Sequence, residues 1–141
     1  MKAKDYLGQI KKLDTMINNK MIEAYQWKCL ALGITASTEN ERVQSSGNQQ
    51  KMASAIDKYV DIEKEINADI DRLFVTKQEV IKTIEQLPAT EYDVLHMLYI
   101  QNKEYSDIEL KYNRSYSSIT TIHGRALAKL QKILDERECY G

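Results

Sequence analysis

Residues Glu104–Gln131, EYSDIELKYNRSYSSITTIHGRALAKLQ, decide how the chain is read. A short amphipathic segment carrying Ile108 and Tyr112 reaches a turn at Asn113–Arg114. A longer segment then carries Ile119, Ile122, Ala126, Leu127 and Leu130 at helical spacing. Ser106 and Glu109 stand in the S-x-x-E pattern of a capping box, so the first helix is expected over about Ser106–Tyr112. Asn113 suits the left-handed backbone of a tight turn, and Ser115 suits the N-cap of the second helix. Two helices joined in this way, the second rich in small polar residues near its start, have the sequence form of a DNA-reading helix-turn-helix. Ile108 and Tyr112 would pack under Ile119, Ile122 and Leu127. Tyr116, Ser117, Ser118, Thr120 and Thr121 would then face base edges, where hydroxyls exchange hydrogen bonds and threonine methyls meet thymine methyls. Lys103, Lys111, Arg114, Arg125 and Lys129 are the expected phosphate contacts. Ser115 joins them through the amides of the helix start.

Upstream, Leu87–Pro88 is the sharpest break, because proline cannot extend the helical hydrogen-bond ladder and restricts the residue before it. Thr90, with Asp93 three residues on, is expected to cap a helix carrying Val94, Leu95, Leu98 and Tyr99. Before the break lie two long periodic stretches. Residues 3–32 place Leu7, Ile10, Leu13, Ile17, Met21, Ala24 and Trp27 at three- and four-residue steps, and Gly33 suits a helix stop. Residues 51–87 repeat Met52, Ile56, Tyr59, Glu63, Ile66, Ile70, Leu73, Lys77, Val80, Ile84 and Leu87. Val60, Ile62, Phe74 and Ile81 widen that stripe. Glu63 and Lys77 would fix register or reach out to the edge of the seam. Residues 33–50, GITASTENERVQSSGNQQ, have no period and read as a linker.

The expected fold is therefore all-α: a long antiparallel helical hairpin over 1–87, with its linker at 33–50, and a helix-turn-helix domain over 88–141. Ile56, Tyr59, Ile66, Ile70, Leu73, Val80 and Ile84 form the expected core of the hairpin or of its oligomer. Two helices do not cover so wide a stripe; self-association or docking of the C-terminal helices is expected to cover the rest, and the free protein is expected to be at least dimeric. The last helix is expected to end near Glu136, with a frayed tail.

Composition narrows the classes. Five glycines and one proline among 141 residues favour helix. The net charge of −1, from 20 basic and 21 acidic residues, excludes a generic polyanion binder. Cys29 and Cys139 have no CxxC partner and no His-Cys cluster around them, so neither a metal nor a cofactor is expected. His96 and His123 lie on predicted helices without a second ligand. Nucleotide-binding glycine loops, nucleophile elbows and H-E-x-x-H are missing, and an enzyme is not expected. No secretory leader is read at the start, and no run approaches the ~20 apolar residues of a membrane span. The expected compartment is a reducing cytoplasm.

Two resemblances sharpen this reading. LPATEYDVLHMLYI and the segment quoted above, with its terminal A-L-x-K-L, resemble region 4 of sigma-70-type transcription factors over about 45 residues. That resemblance implies double-stranded DNA and RNA polymerase as partners. The chain departs from the pattern at Glu109, where a small residue usually packs, and at Arg114, where an apolar one usually sits. Tyr116, Thr120 and Thr121 replace the basic base-reading residues, so promoter specificity does not transfer. More broadly, MKAKDYLGQIKKLD, VQSSGNQQKMASAIDKYVDIEKEI and HGRALAKL resemble a family of small phage and prophage proteins from Gram-positive bacteria, described as sigma-like or late-gene transcriptional regulators. The resemblance implies a phage-type regulator of transcription, acting in the cytoplasm of a bacterial host cell. A protein-interaction module on the same scaffold is the alternative.

Overall fold

A computed structural model of the chain describes residues 1–33 and 46–140, with the side chains of 46–48 left aside. The expected linker at 33–50 therefore falls mostly outside the described residues. All regular structure among the described residues is helical. The helices are α1 (Ala3–Ala31), α2 (Ser46–Ile84), α3 (Ala89–Leu95, continued by a π-helical turn over His96–Ile100), α4 (Tyr105–Tyr112) and α5 (Tyr116–Tyr140). None is long and apolar enough to cross a membrane. α5 runs to Tyr140, past the expected end at Glu136, and so takes the tail into its last turn.

Two compact units are present: Met1–Lys12 with Leu73–Gly141, and Leu13–Arg72. This division differs from the sequence break at Pro88, and burial explains why. In the first unit Ala3, Tyr6, Leu7 and Ile10 of α1 share one core with Val80 and Ile84 of α2, with Leu87, with Leu95 of α3 and with Ala126, Leu130 and Leu134 of α5. Pro88 ends a helix without ending the core. Thr83 ties three of these helices together. Its buried hydroxyl lies 2.9 Å from the Glu79 carbonyl, 2.8 Å from the Arg137 guanidinium and 3.0 Å from the Tyr6 hydroxyl. A hydroxyl has one proton to give. That proton goes to Glu79, so Tyr6 donates to Thr83. A second core joins Val94 and Met97 to Ile108, Ile119 and Ile122, with Tyr112 packed against it.

The short α3 and the π-helical turn that continues it serve both cores. The Gln101 amide donates to the His96 carbonyl at 3.0 Å, five residues back. Val94 and Met97 face one cluster, and Leu95, Tyr99 and Ile100 the other. Pro88 stands at the N-cap of α3 with no side-chain cap bond, so Thr90 lies inside the helix instead of capping it.

In the second unit, contacts on α2 run backwards as α1 is followed forwards. Lys20 meets Asp69 at 2.7 Å, and Gly33, with φ +71°, closes α1 beside Met52. Leu13, Ile17, Ala24, Ala55 and Ile66 are buried here. Within one chain only part of the expected oligomer or hairpin core is covered. Ile66 is buried and Tyr59 half-buried, but Ile56 and Ile70 are 50% and 43% exposed. Ala55 and Asp69, each one residue earlier, take the inward positions. The stripe on this helix is wide enough to offer two phases, and α1 covers the one that includes the small Ala55. The polar rungs change too: Glu63 is exposed. The buried carboxylate is Asp69, paired with Lys20, whose ammonium is pushed above its ordinary pKa by that hydrogen bond. The remaining expected core residues lie in the first unit, where Val80 and Ile84 are fully buried and Leu73 is half-buried.

Candidate nucleic-acid interface

α4 and α5 are joined through Asn113, which adopts the left-handed conformation at φ 51°, ψ 49°. The Arg114 amide returns to the Glu109 carbonyl at 3.2 Å and closes the turn. Ser115 accepts a bond from the Ser118 amide at 3.2 Å, an N-cap to the third helical residue. The start of α4 differs from expectation. Its capping box uses Glu104 and Asp107, the Glu104 amide donating to the Asp107 carboxylate at 2.9 Å. Ser106 and Glu109 therefore lie two residues too late. The chain reverses sharply at Asn102, φ 56°, and the helix begins sooner than its serine suggested.

The hydroxyls expected to read bases are partly committed. Thr120 and Thr121 both donate to the Ser117 carbonyl, at 2.8 and 2.9 Å, leaving their methyls and acceptor lone pairs for a ligand. Ser117 and Thr121 are exposed, while Ser118 and Thr120 are half-buried. Tyr116 is exposed, but its ring rests on Tyr105 with centroids 5.3 Å apart. Ser117, Thr121, Gly124 and Ala128 recur at four, three and four residues and form one exposed face of low relief. A β-carbon at Gly124 would meet nothing within 4 Å, so packing does not require glycine there.

The expected phosphate contacts divide into two groups. Lys111 binds Asp93 at 2.6 Å, and Lys129 lies 3.0 Å from both Glu91 carboxylate oxygens. These bonds fasten α4 and α5 to α3. Lys103, Arg114 and Arg125 are exposed and hold no ion pair among the described residues. No acidic residue occurs on α5 from Tyr116 to Leu134; Asp135, Glu136 and Glu138 follow. The near-neutral total thus conceals a segregation, with the domain's other acids on α3, α4 and the stretch between them.

Sequence reasoning missed two polar clusters. Asp93 accepts from Lys111 and from the Tyr112 hydroxyl. Burial pushes its carboxyl up, but these two bonds outweigh burial and hold it below its ordinary range. Burial and the Asp93 bond push Tyr112 up to about 12. The second cluster is Tyr99–His123–Tyr105. The tyrosine hydroxyls lie 2.9 Å from Nε2 and 2.6 Å from Nδ1 of His123. Burial, helped by the Lys4 charge, lowers the His123 pKa. A neutral imidazole has one donor and one acceptor nitrogen, so one tyrosine donates to it and the other accepts from it. The signal for this cluster was the i, i+6 pair Tyr99–Tyr105, which helical periodicity does not connect. Among the described residues, no group of three His, Cys, Asp or Glu is placed to hold a metal.

No protein-family model, curated protein or solved structure matches the chain.

Proposed function

We propose that the chain is a phage-type transcriptional regulator that binds double-stranded DNA with α5, on a helix-turn-helix of the kind found in sigma region 4. The observation that carries this reading is the exposed, acid-free start of α5, flanked by the unpaired Arg114 and Arg125. Three further features support the frame. Asn113 is left-handed, Ser115 caps α5, and Ile108, Ile119 and Ile122 share one core. The low face through Ser117, Thr121, Gly124 and Ala128 suits close approach to base edges in a major groove. Phage origin and the link to RNA polymerase rest on the sequence resemblance. In this reading residues 1–87 form a helical hairpin that self-associates or contacts RNA polymerase. The run of contacts from Lys20–Asp69 to Gly33–Met52 supports the hairpin.

A specific observation favours the second reading, a protein-interaction module without base reading. Lys111 and Lys129 are held by carboxylates, which leaves fewer cations for phosphates than the sequence offers. Selection of bound fragments from the source genome by purified protein separates the two. The regulator enriches a common site; the interaction module enriches none.

A further inference from the structure

Within the second unit α2 keeps a row of exposed residues that α1 leaves uncovered: Ile56, Val60, Glu63, Asn67 and Ile70. Val60 and Ile70 are 40% and 43% exposed. Their steps, four, three, four and three, make this a second heptad seam, separate from the one that includes Ala55 and Ile66. The order of residue types is its own mirror image. Val60 and Ile70 stand symmetrically about Glu65, and so do Glu63 and Asn67. The next step of the same spacing in the sequence is Phe74, the counterpart of Ile56.

We infer that this seam pairs antiparallel with the same seam of a second copy of the chain, about a two-fold axis at the level of Glu65. Val60 then packs on Ile70 of the other copy. The Asn67 amide donates to the opposing Glu63 carboxylate, a pairing made twice by symmetry. Polar complementarity selects this orientation, since an in-register parallel pair would face Glu63 with Glu63 inside an apolar seam, a repulsive arrangement. A groove of about 380 Å³ beside the polar layer is lined by Tyr25, Lys28, Tyr59 and Glu63. Lys28 thus lines the same groove as the Glu63 carboxylate. The inference deepens the proposed self-association and is independent of DNA binding.

The test uses full-length chains with Cys29→Ser and Cys139→Ser. One set carries Val60→Cys, the other Ile70→Cys, and both are checked for helix content. In the antiparallel pair, position 60 stands ten residues from its own mate, roughly 15 Å along the axis. A disulfide requires α-carbons within about 7 Å. Oxidising the mixture is expected to give the mixed 60–70 disulfide, with little cross-linking of either variant alone. Asn67→Glu should raise the dimer dissociation constant about tenfold by opposing two carboxylates, and Glu63→Gln in that background should recover it. Self-cross-linking of the Val60→Cys chain would overturn the orientation while leaving a dimer. Sedimentation of the unmodified protein as a monomer at tens of micromolar would overturn the dimer as well.

Discussion

His123 has a role that its position in the sequence conceals. It reads as an isolated histidine on a helix, yet two tyrosine hydroxyls occupy both ring nitrogens and burial lowers its pKa. The sign of the resulting pH dependence follows. The unfolded side chain titrates near 6.5 and the folded one lower, so the unfolded state takes up the proton first. The stability this site contributes is complete above about pH 6.5 and is lost as pH falls toward the depressed folded value. Urea denaturation between pH 7.5 and 5 should show that fall, and His123→Phe should flatten it; an unchanged slope would refute the assignment. Gly124 is the opposite case, a helical glycine for which the fold provides no packing reason. Gly124→Ala should raise stability by about 0.5–1 kcal/mol, since alanine is the better helix former and its methyl meets open space. A loss in thermal unfolding would mean that the face is already covered in the free protein.

At the scale of elements, α5 and α2 show where sequence patterning stops. The Ile119 and Ile122 frame of α5, its Ser115 cap and the Asn113 turn were legible, because each is a local choice with a local signature; Leu127, expected over Ile108 and Tyr112, packs instead against the core around Leu7 and Ile84. The pairing of Lys111 with Asp93 and of Lys129 with Glu91 was not, because those partners lie 18 and 38 residues away. On α2, composition offered two interchangeable phases, and only contact with α1 chose Ala55 and Asp69 over Ile56 and Ile70. The two classes of cation should behave differently. Arg114→Ala and Arg125→Ala should each flatten the salt dependence of DNA binding by up to about one unit, without loss of stability. Lys111→Ala should leave the slope nearly unchanged and lower the melting temperature by a few degrees, because it leaves Asp93 short of a partner. Lys12→Ala, exposed on α1, is the neutral control. Asp107 would be a poor one, since it closes the capping box of α4. Equal slopes for all four variants would remove the distinction between structural and ligand-facing cations.

For the whole molecule, the division of the core decides what folds alone. A fragment of residues 88–141 keeps the cluster around Ile108 and Ile119 but loses Leu7, Ile10, Val80 and Ile84, against which Leu95, Leu130 and Leu134 are buried. It should show reduced helicity and a broad unfolding transition, and a chain that also retains residues 1–12 and 73–87 should unfold sharply. A cooperative 88–141 fragment would mean that Pro88 does mark an independent boundary. Binding of duplex DNA by α5 is read from the salt dependence of affinity. Fragments selected from the source genome and scrambled controls should be titrated with the full-length protein between 50 and 200 mM salt. With Lys103, Arg114 and Arg125 as the unpaired candidates, a slope of roughly −3 per bound chain and tighter binding to the selected sequence are expected. No enriched sequence, and no binding to any duplex at the lowest salt, would contradict it.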